Sequence, residues 1–109
     1  MKIEVLNTAG GDAAQMRAYA EYRVFSRLAP LARHVAAVTL VITRSPEGRT
    51  LCVVTLEFES GLRVRREGRH AHPVLAVDAA TADIGTAATS WAARMQHGAA
   101  RVPLYGAGI

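Results

Sequence analysis

The chain has 109 residues, half of them hydrophobic, and a formal net charge of +4, which suits one domain with a two-layer core. It lacks the ~20-residue apolar run of a membrane helix and the basic-then-apolar opening of a signal peptide, and its one cysteine, Cys52, excludes an intrachain disulfide. The reading is a soluble cytoplasmic protein whose basic balance permits a nucleic-acid partner without requiring one.

In chain order, Lys2-Ile3-Glu4-Val5-Leu6 alternates like a strand and ends in the turn-forming Asn7 to Gly11. Asp12 suits a helix N-cap, and a helix is predicted from about Ala13 to Ala29, stopped by Pro30. Met16, Tyr19, Ala20, Val24 and Leu28 form its apolar stripe. Arg27 intrudes on that stripe, so either it snorkels along the helix edge or Tyr22 and Phe25 are buried instead. The first is favoured and leaves both aromatics exposed.

Val35 to Arg44 is a second strand, with Val38, Leu40 and Ile42 on one face and Thr39, Val41 and Thr43 on the other. A five-residue turn, Ser45 to Arg49, would pair Ile42 with Cys52, Leu40 with Val54 and Val38 with Leu56. The third strand puts Cys52, Val54, Leu56 and Phe58 on the core side. A three-residue loop, Ser60-Gly61-Leu62, would then set Arg63 opposite Glu59, Val64 opposite Phe58 and Arg65 opposite Glu57. Pro73 suits the first position of a second helix. Val74, Val77, Thr81, Ile84, Ala88, Trp91 and Met95 form its stripe, and Gly98 its end. The expected fold is α+β: a two-layer sandwich of β-α-β-β-β-α order, with a four-stranded mixed sheet and both helices on one face. Residues 1–98 form the single domain and residues 99–109 a flexible tail.

The same order and several local patterns resemble the ribosome hibernation-promoting factor and ribosome-associated inhibitor family in its short form, without the dimerising domain of the longer form. Met16-Arg17-Ala18-Tyr19-Ala20-Glu21 resembles the family's apolar-Arg-x-aromatic-apolar-Glu opening of the first helix. His34 to Leu40 is similar to its entry into the second strand, and Cys52-Val53-Val54 to a Cys-x-Val in the third. Ala71 to Asp78 resembles its Ala-Asp-Leu-Tyr-Ala-Ala-Ile-Asp, with His72 and Pro73 replacing Asp and Leu.

The resemblance implies a stress-linked translation regulator that occupies the small ribosomal subunit, with no catalysis and no cofactor. Ribosomal RNA would be held by Arg contacts to phosphates. The candidate RNA-binding residues are Arg17, Arg23 and Arg27 on the first helix and Arg63, Arg65, Arg66 and Arg69 on the fourth strand. They serve equally well as a solvated helix face and as neutralisers of Glu57 and Glu59. The family's second helix is usually rich in Lys and Arg, but here Arg94 is the one Arg, with no Lys, between Ala71 and His97. Ala79, Ala82, Thr86, Thr89 and Ala93 stand where basic residues would grip RNA, which weakens the implied surface.

A protein-interaction module of the same fold is the alternative. Val41, Leu51 and Val53 would make an apolar patch on the sheet face away from the helices, suited to a homo-oligomer. An enzyme or metal centre is the remaining class. His70 and His72 share one side of a strand, but the sequence supplies no third ligand beside them, and Cys52 alternates with core residues as a small hydrophobe.

Overall fold

The computed structural model describes the backbone of residues 1–10 and 12–108, and side chains through Arg94 with Gly11 excepted. The elements are β1 (Lys2–Asn7), α1 (Ala13–Leu28), a 3-10 turn (Ala29–His34), β2 (Val35–Arg44), β3 (Thr50–Phe58), β4 (Arg63–His70) and α2 (Pro73–Gly108). One sheet of order β1-β2-β3-β4 is parallel between β1 and β2 and antiparallel elsewhere. Both helices pack on the same sheet face, giving the two-layer α+β sandwich anticipated above.

The core follows from strand alternation. Val38, Leu40 and Ile42 from β2 and Cys52, Val54, Leu56 and Phe58 from β3 are buried together with Val5. Their pairings, Val38 with Leu56, Leu40 with Val54 and Ile42 with Cys52, are those read from the sequence. A bulge between Val35 and Ala37 breaks the alternation and lets Val35 point inward as well.

On α1 the Asp12 carboxylate accepts from the Gln15 N–H at 3.1 Å, the N-cap expected of it. Ala20, Val24 and Leu28 are buried, while Tyr22 and Phe25 remain 65% and 57% exposed. Arg27 is exposed, and its aliphatic stem lies over Gly85 of α2, where an added Cβ would come within 3.3 Å of the Arg27 Cβ. Gly85, which costs about 1 kcal/mol of helix propensity relative to Ala, therefore marks a close approach of the two helices.

The β3–β4 hairpin corrects the expected register. Val64 lies opposite Leu56, Arg63 opposite Glu57 and Arg65 opposite Thr55. The loop does have three residues, but they are Glu59-Ser60-Gly61: the Gly61 N–H donates to the Phe58 carbonyl and the Phe58 N–H to the Leu62 carbonyl, each at 2.8 Å. Gly61 has φ +92°, the left-handed conformation that ends such a loop. Starting the loop one residue earlier moves every pairing by two residues and leaves each side chain on its expected face.

Helix α2 differs from its expected stripe at both ends. Val77, Thr81, Ile84 and Ala88 are buried, joined by Ala76 and Ala80. Val74 is 42% exposed and Trp91 is half-buried. Met95 lies outside the described side chains. The helical backbone passes Gly98 without ending there, and the side chains of the expected tail, residues 99–109, are outside those described.

Gly68 of β4 is buried under α2. A Cβ there would sit 2.4 Å from the Ala76 carbonyl oxygen and 2.7 Å from the Ala80 amide nitrogen, both backbone atoms that cannot rotate away. Replacing Gly68 by Val should therefore destabilise the fold by roughly 3 kcal/mol, the upper range for overpacking. A thermal melt should show a midpoint about 10–20 °C lower, and an unchanged midpoint would contradict this placement of α2.

Candidate functional site

The candidate arginines fall into two groups with α2 packed between their elements. On α1, Arg17 Nε lies 3.3 Å from Glu21 Oε1, one turn away and exposed. Arg23 instead reaches across to α2, with its Nε 3.1 Å from Asp78 Oδ1 and its side chain 25% exposed. That Nε is buried without a well-directed hydrogen bond, so the contact is electrostatic. The Tyr19 hydroxyl donates to the same Asp78 oxygen. Tyr19, Arg23 and Arg27 thus form one ridge of α1 facing Asp78 and Gly85 of α2.

On β4 the alternation divides the second group. Arg63, Arg65 and Arg69 share the open sheet face with Glu57 and Glu67. Arg63 lies 3.7 Å from Glu57, Arg65 3.0 Å from Glu67 and Arg69 3.7 Å from Glu67. The partners differ from those expected because the register differs. Arg66 is on the helix side, where its Nε is 3.8 Å from Asp83 of α2 and its Nη1 donates to the Arg65 carbonyl at 2.8 Å.

The structure adds two residues that sequence reasoning left out of the site. Trp91 and Arg94 of α2 line a groove of about 520 Å³ together with Arg63, Arg65, Arg66 and Asp83. The Arg94 guanidinium lies 5.5 Å from the Trp91 ring centre, a cation–π contact. Their three-residue spacing was visible in the sequence, but their proximity to β4 depends on where α2 crosses the sheet.

The other candidates resolve as follows. Leu6, Val41 and Val53 form one row across the open sheet face, with Leu51 beside Thr43 in the next. Val41, Leu51 and Val53 are half-buried by their neighbours, while Leu6 is 58% exposed. The rings of His70 and His72 stack with centres 6.0 Å apart, and the His72 N–H donates to His70 Nδ1 at 3.2 Å. Among the described residues, no three His, Cys, Asp or Glu side chains gather as a metal site would require. Cys52 is buried, which pushes its thiol up to about 12 and leaves it a packing residue. Among the described residues no helix is long and apolar enough to cross a membrane.

No protein-family sequence model matches the chain, and no curated protein matches it in sequence. Solved structures do share its architecture. A ribosomal subunit interface protein from Coxiella burnetii superposes with a TM-score of 0.73 at 12% identity, covering 85% of this chain and 99% of that one. The Protein Y N-terminal domain from Thermus thermophilus gives a TM-score of 0.67 at 19% identity, covering 84% of this chain and 99% of that one. The chain shares the fold of these two proteins.

Within that fold, two segments that carried the sequence resemblance meet: Tyr19, from the opening of α1, bonds Asp78, from the opening of α2. The arrangement joins the helices rather than presenting either residue to a partner. The hydrogen bond to Asp78, then burial, then the Asp78 charge hold the Tyr19 phenol above its ordinary value of 10.0. A raised folded-state value contributes stability that is fully present below the unfolded value and is lost as pH rises through the folded one. The melting temperature should therefore fall above pH 10, and Tyr19→Phe should remove the Tyr19 part of that fall. Identical alkaline profiles for the two proteins would show that the bond does not form in solution.

Proposed function

We propose that this protein is a ribosome-associated translation inhibitor of the hibernation-factor kind, working in the cytoplasm and binding small-subunit ribosomal RNA through Arg side chains. Residues 1–98 would be the binding domain, with α2 continuing beyond it to Gly108. The carrying observation is the fold likeness that spans 85% of this chain and nearly all of a ribosomal subunit interface protein. No bond is made or broken in this reading: occupancy of the subunit is the whole activity.

The ion pairs of the candidate arginines are compatible with such a role. Arg17, Arg63, Arg65, Arg66 and Arg69 are exposed and paired at 3.0 to 3.8 Å. Exposed pairs are worth roughly 0.2–1 kcal/mol, so exchanging a carboxylate for a phosphate costs little. Arg23 is different, because removing it would leave Asp78 half-buried without that cation. It serves the fold first.

Co-sedimentation with purified small subunits at about 50 and 200 mM salt tests this reading. Three or four engaged arginines imply a log–log salt slope near −3, at roughly 0.7–0.9 per phosphate contact. Arg17→Gln with Arg27→Gln should flatten that slope by about 1.5, without touching the Arg23–Asp78 contact. Absence of binding even at low salt would rule ribosome silencing out.

One observation favours a second reading, a protein-interaction module. The row Leu6, Val41 and Val53 runs across three strands with no helix over it. If it is a homo-oligomer interface, sedimentation equilibrium should show self-association that Val53→Lys abolishes with little change in melting temperature. A strictly monomeric native protein at high concentration excludes that oligomer.

A further inference from the structure

We propose that the groove between β4 and α2 holds an unpaired nucleotide of single-stranded RNA, its phosphates taken by Arg66 and Arg94 and its base laid against Trp91. The inference deepens the ribosomal reading and rests on it for RNA as the class of partner. The groove carries Arg66 and Arg94 against the single carboxylate of Asp83, a formal balance of +2 − 1 = +1, while Arg63 and Arg65 also border it with their guanidinium groups paired to Glu57 and Glu67. Arg66 is held there loosely, 3.8 Å from Asp83 with its side chain 43% exposed. Arg94 has no carboxylate within ion-pair distance among the described residues and rests on the Trp91 ring. Two cations therefore flank an aromatic wall, each free to move onto a phosphate.

Shape selects the strand form. At about 520 Å³ the groove is of small-ligand size, within the ~300–1,000 Å³ of typical ligand clefts. A duplex offers a convex ridge of phosphates with its bases turned inward, and it could touch only the rim. An unpaired nucleotide can enter and place its base beside an aromatic side chain while its phosphates remain at the mouth. The indole Nε1–H is buried with no acceptor among the described residues, the one such donor of this wall. Thr86 and Ser90 supply further hydroxyls on the α2 side.

Trp91 is the only tryptophan of the chain, so its fluorescence reports on this groove directly. The full-length protein is titrated with an eight-residue oligouridine, with a duplex of the same length and with polyglutamate. Oligouridine should quench Trp91 at least tenfold more effectively than the duplex. Arg66→Gln with Arg94→Gln should lower the salt slope by about 1.4, from two lost contacts at roughly 0.7 each. Both arginines are exposed, so the double variant should keep the native melting temperature. Arg49→Gln, which removes a charge in the β2–β3 turn, should leave the quenching midpoint unchanged. Absence of quenching by oligouridine at low salt, or an unaltered slope in the double variant, overturns the proposal. Equal quenching by polyglutamate overturns the choice of RNA. Co-sedimentation with small subunits without any Trp91 response removes the groove while leaving the ribosomal reading intact. Oligouridine quenching without co-sedimentation removes the ribosomal reading and supports the groove.

Discussion

Helix α2 lies close enough to β4 to form this site because Gly68 has no side chain. The helix backbone occupies the space a Cβ would need, and the residues facing the strand are correspondingly small: Ala76 and Ala80 are fully buried beside Val77. A Val or Leu at Gly68, Ala76 or Ala80 would raise the helix off the sheet. The same closeness brings Asp83 to Arg66 and sets Trp91 and Arg94 along one groove with the start of β4. The alanine content of α2 thus has a packing cause on its inner side, where Ala76 and Ala80 face the strand.

A second contact fixes the other helix. Asp78 receives the Tyr19 hydroxyl and lies beside the Arg23 guanidinium, while Gly85, two turns on, receives the Arg27 stem. One edge of α1 is therefore committed to α2, and its remaining charges project away from that seam. Arg17 is among these, held only by Glu21 on its own helix. The arginines of α1 are consequently unequal: removal of Arg23 costs packing, whereas removal of Arg17 costs charge alone.

Much of this was legible in the sequence, for reasons that differ by element. The β2–β3 register could be read because two alternating strands and a five-residue turn leave one pairing that buries both apolar faces. The β3–β4 pairing was misread by two residues because parity alone cannot separate registers that differ by an even step. The deciding signal was Gly61, whose left-handed backbone belongs at the last loop position. Val74 is on the stripe by spacing, yet it sits in the first turn of α2 and lines a surface cleft with Met16 and Tyr19. The arginines were identifiable as charged surface, but their partners were not, since Arg23–Asp78 and Arg66–Asp83 depend on how the helices cross. Trp91 and Arg94 were visible as neighbours on a helix and invisible as part of a groove for the same reason.

The alternation of β4 has one further effect. Arg63, Arg65 and Arg69 point to the open sheet face, where Glu57 and Glu67 balance them, while Arg66 alone points to the helix side. Its guanidinium also covers the Arg65 carbonyl, a backbone group at the edge of the sheet where another strand would otherwise add. Arg66 therefore occupies one free carbonyl of this edge while leaving a cation at the groove mouth. An anion at the groove mouth would compete with the Asp83 contact. A loose pair at 3.8 Å offers little resistance to that exchange, whereas the 2.8 Å bond to the carbonyl can persist, because it uses Nη1 and leaves the other nitrogens of the guanidinium to the ligand.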